Sequence, residues 1–314
     1  MALKQVLEIG DLLEGPEIKQ ELIENYFLNK GLNGHDLHFL PVKGDKGKTI
    51  FVKIRIHGEE GRSSGGSSPT MGIIGRLGGI GARPHKIGFV SDADGAIAAL
   101  ACAAKICDLA RKGDRLKGDV IISSHLSPAS PIIPHDPVPF MDAPVTIDTM
   151  NAHEVDKRME AILTLDATKG NRIVNRRGFA ISPTVKNGYI LRVSEDLLDI
   201  MQDVTGRPPV VFAITQQDIT PYGNGLHHLN SIMQPATATE APVVGIAITS
   251  EVAVAGCATG ANQCLDIEMA VRFAVEVTKS WGMRQCTLYD GQEFQKLLSL
   301  YGAMDRFKTL GNKK

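Results

Sequence analysis

KIGFVSD at residues 86–92, ADGAIAALACAAKICDLARK at 93–112 and GDVIISS at 118–124 decide the fold. The first piece is short and apolar and reads as a strand. The second is alanine-rich, with small residues on most faces, and reads as a helix packed closely against a sheet. Gly113 suits its end. The third is a short apolar run and reads as a buried strand. Strand, long helix and strand over 86–124 have the size of a parallel crossover, so a parallel sheet is expected.

The same alternation extends in both directions. Upstream, 16–31 reads as a helix with Pro16 in its first turn and Gly31 at its end. TIFVKIRIH at 49–57 alternates as a half-buried strand, GEEGRSSGGSSP at 58–69 reads as a mobile loop, and TMGIIGRLGG from Thr70 reads as a buried strand entering a glycine-rich turn. Downstream, 127–140 is a proline-rich connection, and 161–167, 178–185, 190–193, 210–215 and 241–249 read as strands. Helices are expected at 194–206, with Ser194 as N-cap and Gly206 as the stop, at 265–282, and at 290–302. The predicted fold is an α/β three-layer sandwich: a mixed, mostly parallel central sheet with helices on both faces, in one domain over 1–314.

Composition narrows the function. The 34 Lys and Arg nearly balance the 35 Asp and Glu, which excludes a basic nucleic-acid footprint. Aromatic residues make up 5%, too few for a base-stacking platform. The five cysteines form no CxxC pair and are odd in number, which argues against a disulfide framework and for a reducing, cytoplasmic setting. Lys4, Glu8 and Asp11 interrupt the apolar N-terminal stretch that a signal peptide would need, and the longest apolar runs are too short for a membrane span.

Asp92 carries the most information about chemistry. An Asp at a strand end before a small-residue helix lies at the carboxyl edge of a parallel sheet, where ligand sites gather in open α/β folds. The plainer reading is a helix N-cap, a position that favours Asp. Gly75, Gly78, Gly79 and Gly81 suggest either a phosphate-cradling loop or a turn where the backbone makes a close approach. Cys257 in a glycine-rich turn is a candidate thiol nucleophile or a buried inert cysteine. Ser123 and Ser124 lack a nucleophile elbow. The polar run at Gln216, Gln217 and Asp218, with 221–224, lines the same edge at most in a supporting role. His227 and His228 point in different directions, so only one of them can serve a site.

The segment from Asp92 resembles the bridging-aspartate segment of the co-catalytic zinc exopeptidases, an Asp, two residues, then Gly and an alanine-rich helix. The order of elements over about 70–282 is similar too: GDVIISS, AILTLDA ending near Asp166, and APVVGIAIT before the closing helix. The resemblance implies two metals bridged by the Asp, five ligands and a glutamate base. Asp92 and Asp166 match two ligands. Arg76 and Gly78 stand where the first His-x-Asp belongs, Ser123 to Pro128 where paired glutamates belong, and 251–257 lacks the last His. A standard two-metal site is therefore not expected. The whole chain also resembles a bacterial family known only as a domain of unknown function, number 1177, which brings no activity with it.

Two altered sites follow. In one, Arg76 replaces metal charge beside Asp92 and Asp166, and Arg76 and Arg83 take the carboxylate of an amino-acid-like or dicarboxylate ligand; the plainer reading puts both arginines on solvated loops. In the other, Asp92, Asp94 and Asp166 with His125 or His85 hold one zinc or manganese ion, and His135-Asp136 can reach in. A shift of the comparison by a few residues would bring His57 or His85 to the first-ligand place. The expected function is binding, and in the active version hydrolysis, of a small amino-acid-like or peptide-like molecule. The alternative is a ligand-binding or assembly subunit without metal. Expected partners are that small ligand and further copies of the chain, with neither nucleic acid nor membrane.

Overall fold

The structure, a computed structural model, describes all residues except Leu77, Asn171, 215–230 and 309–314. Helices α1 (Leu3–Leu13) and α2 (Gln20–Asn29) precede a hairpin of β1 (Leu37–Gly44) and β2 (Gly47–Ile56). β3 (Met71–Gly75) leads through a long loop to α3 (Asp94–Arg111) and β4 (Val120–Leu126). A small ribbon follows, β5 (Ile132–Ile133) with β6 (Phe140–Met141), and then α4 (Ile147–Glu154) and β7 (Ala161–Ala167). The chain continues through β8 (Gly178–Ile181), β9 (Val185–Lys186), β10 (Tyr189–Ile190) and α5 (Glu195–Thr205). β11 (Val243–Thr249), α6 (Cys264–Gly282) and α7 (Gly291–Tyr301) complete these elements.

One mixed sheet organises them in the order β1-β2-β4-β3-β7-β11-β9-β10, with β8 also on β11. β4, β3, β7 and β11 are parallel, and the hairpin β1–β2 and strands β8 to β10 flank them in antiparallel pairs. The parallel strands are buried throughout except for Ala167 at the end of β7, as expected where both faces of the sheet are covered. On one face α1, α3, α5 and α6 pack in a single apolar cluster with Ile73, Ile122, Leu163 and Ile246. On the other, α4 and a 3-10 segment at Ser231–Thr237 cover Ile74, Ile121, Ile162 and Val243. The α/β sandwich expected from the sequence is thus present, with a thin second helical layer.

The connectivity creates a site. β3 crosses to β4 through α3 on one face, and β4 crosses to β7, on the far side of β3, by way of α4 on the other face. The crevice outside the carboxyl end of β3 is therefore a topological switch point, where ligands bind in open α/β sheets.

Several local expectations change. Residues 86–92 are not a strand. Both sides of β3 are already occupied by β4 and β7, so this segment lies outside the sheet, with only Val90 bridging Thr259. The strand that feeds α3 is β3. The stretch 210–214 makes one bridge, Val211 to Ile181, instead of a strand, and Thr215 lies outside the described residues. The loop 58–69 is fastened by the Asp119 carboxylate, which accepts hydrogen bonds from Gly58 N (2.9 Å), Ser63 N (2.7 Å) and Ser63 Oγ (2.7 Å). α1, β1 and α4 are elements that the sequence reading did not identify. α4 escapes pattern reading because two of its buried residues, Asn151 and Glu154, are polar. Ser194 does cap α5, accepting from Leu197 N, and Gly206 and Gly113 adopt the left-handed backbone that ends a helix. All five cysteines are unpaired. Among the described residues no helix is long and apolar enough to cross a membrane.

α3 sits so close to the sheet that a Cβ on Gly95 would lie 2.3 Å from Arg76 O and 2.7 Å from Leu165 O. Gly95→Ala is expected to cost about 3 kcal/mol or more, since rigid backbone must move. Gly10→Ala, in α1 with nothing within 4 Å of the added methyl, is expected to gain about 0.5–1 kcal/mol. Urea denaturation of the two variants measures both.

Candidate functional site

β3, β4 and β7 pair so that Gly75 faces Ser124 on one side and Leu165 on the other. The next residue of each, Arg76, His125 and Asp166, then projects from one face of the sheet, because side chains alternate along a strand. That is the α4 face, to which Ile74, Ile121 and Ile162 also contribute. Three adjacent strands thus end in a cation, an imidazole and a carboxylate.

Arg76 is 1% exposed and lies in the interior, which excludes the solvated-loop reading. Its Nη1 forms an ion pair with Glu154 of α4, and its Nη2 donates to Asn151 Oδ1 at 2.8 Å and Gln234 Oε1 at 3.2 Å. The other Glu154 oxygen lies 2.5 Å from His125 Nδ1, while His125 Nε2 accepts from Gly78 N–H at 3.1 Å. This fixes the tautomer, with the proton on Nδ1 directed at Glu154. Burial works to raise the Glu154 carboxyl, but Arg76 and His125 outweigh it and hold the group below its usual value.

A second cluster approaches from the α3 side. Asp92 lies in a 3-10 turn and Asp94 opens α3, and neither side chain caps that helix. Buried Lys169, three residues past Asp166, forms an ion pair with Asp94 and donates to Ser91 Oγ at 2.9 Å and Ala261 O at 3.3 Å. Asn262 Nδ2 completes Asp94 at 2.7 Å and also donates to Val90 O at 2.8 Å. Lys169 and Asn262 thereby join the loop after β7, the start of α3 and the loop after β11. Gly256 in that last loop lies against Asp92, whose oxygens would be 2.6 and 2.7 Å from an added Cβ.

Arg76 is matched by Glu154, and Lys169 by Asp94. Among the described residues Asp92 and Asp166 have no ion pair. Asp166 receives a long 3.5 Å hydrogen bond from Ser231 Oγ on one oxygen, and its other oxygen, Oδ1, has no hydrogen-bond partner among the described residues. Burial pushes the Asp92 carboxyl up to about 7; Lys169 opposes this and Asp94 adds to it. Burial raises Asp166 well above the usual range, and the Asp92 charge raises it further.

Of the residues singled out in the sequence, Arg76, Asp92, Asp94, His125 and Asp166 meet at this strand edge. Arg83 does not join them: it is half-exposed, and its Nη1 donates to Pro128 O at 3.3 Å. His85 is exposed, and His135 stacks on Phe140 at 3.6 Å between ring centres. Cys257 packs in an apolar cluster with Ala82, Val90 and Met141. Ser123 and Ser124 donate to Glu154 O and Gly75 O. The glycine turn is a close approach: a Cβ on Gly78 would meet His125 O at 1.3 Å. The polar run around Gln216 and the pair His227–His228 lie outside the described residues. Among the described residues no three or more His, Cys, Asp or Glu are grouped to hold a metal. A buried guanidinium and a buried ammonium at this edge do not form a two-metal ligand set.

Glu154, Lys169, Asn151, Gln234 and Asn262 were not found from sequence. Lys169 had a signal, since it lies three residues past a strand-end Asp. Glu154 had only an indirect one, because a buried Arg requires a carboxylate.

A family model described as "Protein of unknown function (DUF1177)" matches residues 41–311. No curated protein matches the chain. Among solved structures, the chain is similar to the LapA aminopeptidase of Legionella pneumophila, at 9% identity and a TM-score of 0.48, over 92% of this chain and 72% of that one.

Breaking the buried pair by Arg76→Leu is expected to cost about 3–5 kcal/mol, and adding Glu154→Gln to return much of it, because the single change strands a buried charge. Denaturant titration of the two single variants and the double variant measures this coupling. The raised Asp92 carboxyl gives a second expectation. The folded protein holds that proton from about pH 4, where an unfolded Asp loses it, to about pH 7, so this group makes stability fall as pH rises through that window. Asp92→Asn removes the fall, and in unfolding experiments its advantage over the wild type is larger at pH 8 than at pH 5.

Proposed function

We propose that this chain, which belongs to the DUF1177 family, binds a small amino-acid-like or peptide-like molecule through its ammonium group at Asp92 and Asp166. One observation carries the reading. Among the described residues at the carboxyl edge of the parallel sheet, Arg76 pairs with Glu154 and Lys169 with Asp94, while these two carboxylates have no ion pair and Asp166 Oδ1 has no hydrogen-bond partner. A proton relieves that surplus in the free protein. A ligand ammonium relieves it with a full charge and three donors.

The surrounding groups suit such a ligand. Ser231 and Gln234, three apart on a 3-10 segment, share one face. Gln234 gives its oxygen to Arg76 and leaves its buried Nε2 without an acceptor among the described residues, so a carbonyl or carboxylate oxygen of the ligand has a donor there. Arg76 itself is a positioning residue, because its Nη groups are engaged by Glu154, Asn151 and Gln234. In the catalytic version Asp92 exchanges a proton with the bound molecule, since a carboxyl titrating near 7 suits general acid–base work at neutral pH.

A metal answers the same charge surplus. One zinc or manganese ion on Asp92 and Asp166 would need a third donor, and His125 would have to leave Glu154 to supply it.

Calorimetric titration with amino acids, dipeptides and simple amines, beside elemental analysis of untagged protein, tests the proposal. The expected result is metal-free protein that binds an ammonium-bearing ligand, with binding lost in Asp166→Asn. Stoichiometric zinc or manganese, lost in the same variant, would replace the ammonium reading with the metal one. Binding that persists in both Asp92→Asn and Asp166→Asn would overturn both.

A further inference from the structure

Gly61-Arg62-Ser63-Ser64-Gly65 has the spacing of a G-x-S-x-G nucleophile turn, and the ammonium site makes no use of it. It lies in the loop after β2. The end of β2 pairs with the start of β4, so this loop is at the end of the sheet opposite Asp92 and Asp166.

The turn is tight and presents its serine. Arg62–Ser64 form one 3-10 turn, closed by Gly65 at φ +78°. A Cβ on Gly61 would lie 2.0 Å from Asp119 Oδ1, so a glycine is needed for that close approach. Asp119 holds the backbone through Gly58 N and Ser63 N, and Ser63 itself is exposed. Ser63 Oγ lies 2.6 Å from His57 Nδ1, and His57 Nε2 lies 2.9 Å from Asp36 Oδ1. A carboxylate only accepts, so in the neutral imidazole Nε2 carries the proton toward Asp36, and Nδ1 turns a lone pair to the Ser63 hydroxyl.

A nucleophile, a base in hydrogen-bond reach of it and a third group orienting the base are the signature of covalent catalysis. The Ser63 hydroxyl also lies 2.7 Å from Asp119 Oδ1, so it has one proton and two acceptors. Only one of them can pass the proton on. Asp119 is buried and already bonded to two N–H groups, whereas the His57 side chain is 40% exposed.

We infer that Ser63 is a nucleophile toward small uncharged carboxylic esters, with His57 as its base and Asp36 as the positioning residue. Ser63 Oγ bonds to the ester carbonyl carbon as its proton moves to His57 Nδ1. The carbon–oxygen single bond of the ester breaks, and the leaving alcohol takes that proton. Water then attacks the acyl group and gives a proton to Nδ1, which returns it to the departing Ser63 Oγ. His57 and Asp36 also line a cavity of about 220 Å³ with Leu32, Ile56 and Ala110, a size that suits a short acyl or alkoxy group. Ser64 N, Gly65 N and Gly66 N are bonded to carbonyls of the turn itself, so these groups do not serve an oxyanion and turnover is expected to be slow.

Acetylation by p-nitrophenyl acetate, located by peptide mass spectrometry, and nitrophenol release from the same ester test the inference. Label is expected on Ser63 at least about tenfold above Ser64, its exposed neighbour in the same turn, and is expected to be lost in His57→Gln. Ser63→Ala is expected to lower turnover at least about tenfold. Asp36→Asn is expected to lower kcat with KM little changed, a split that a merely loosened loop does not produce. Asp166→Asn is expected to leave labelling unchanged, which separates this activity from the ammonium site. Ser63 labelled no more than Ser64, equal labelling in His57→Gln and wild type, unchanged turnover in Ser63→Ala or Asp36→Asn, or loss of labelling in Asp166→Asn would overturn the inference.

Discussion

The buried ion pair between Arg76 and Glu154 is the constraint on which the site depends. A guanidinium at the end of a central strand is too costly to bury without a carboxylate, so α4 must deliver Glu154 to it. That requirement sets the place of α4 on the second face. It also takes up His125, whose Nδ1 proton goes to the same carboxylate. Asn151 and Gln234 close the remaining Arg76 contacts and tie in the 3-10 segment that carries Ser231. With Lys169 serving Asp94 in the same way, the edge has two internally neutral clusters and two carboxylates outside both. The raised carboxyls of Asp92 and Asp166 register the lack of a compensating charge.

This arrangement makes the edge rigid in its supports and open in its chemistry. The pairs around Arg76 and Lys169 hold three loops and one helix in register, so the two unmatched carboxylates are placed by structure that is itself well bonded. Sites that must hold a geometry are built in this way, with reacting or binding groups positioned by others whose hydrogen bonds are complete. The switch point between β3 and its neighbours supplies the crevice, and Gly78 and Gly95 let the backbone come close enough to close it.

Much of the architecture was legible because it rests on periodicity. The alanine-rich α3, the buried runs of β4, β7 and β11 and the capped α5 all announce themselves by spacing and by their stops. The segment 86–92 misled because a short apolar run has no feature that distinguishes a strand from a loop lying over strand ends. α4 was silent because its buried face carries Asn151 and Glu154. The site was half legible for a related reason. Asp92, Asp166, Arg76 and His125 lie at ends of recognisable elements, so position alone marked them. Their partners are set by tertiary contacts across many residues of chain: 78 separate Arg76 from Glu154 and 168 separate Asp94 from Asn262. No local pattern records such a pairing.

The central claim is that the Asp92–Asp166 pair lacks one positive charge and holds a proton instead. Carbon-13 NMR of labelled aspartate carboxyls, titrated in ligand-free protein and assigned with Asp92→Asn, observes that proton directly. The account predicts an Asp92 carboxyl titrating near pH 7, with Asp166 titrating well above the range of ordinary aspartates. Both groups titrating below about pH 4.5, in the range of ordinary aspartates, would contradict it.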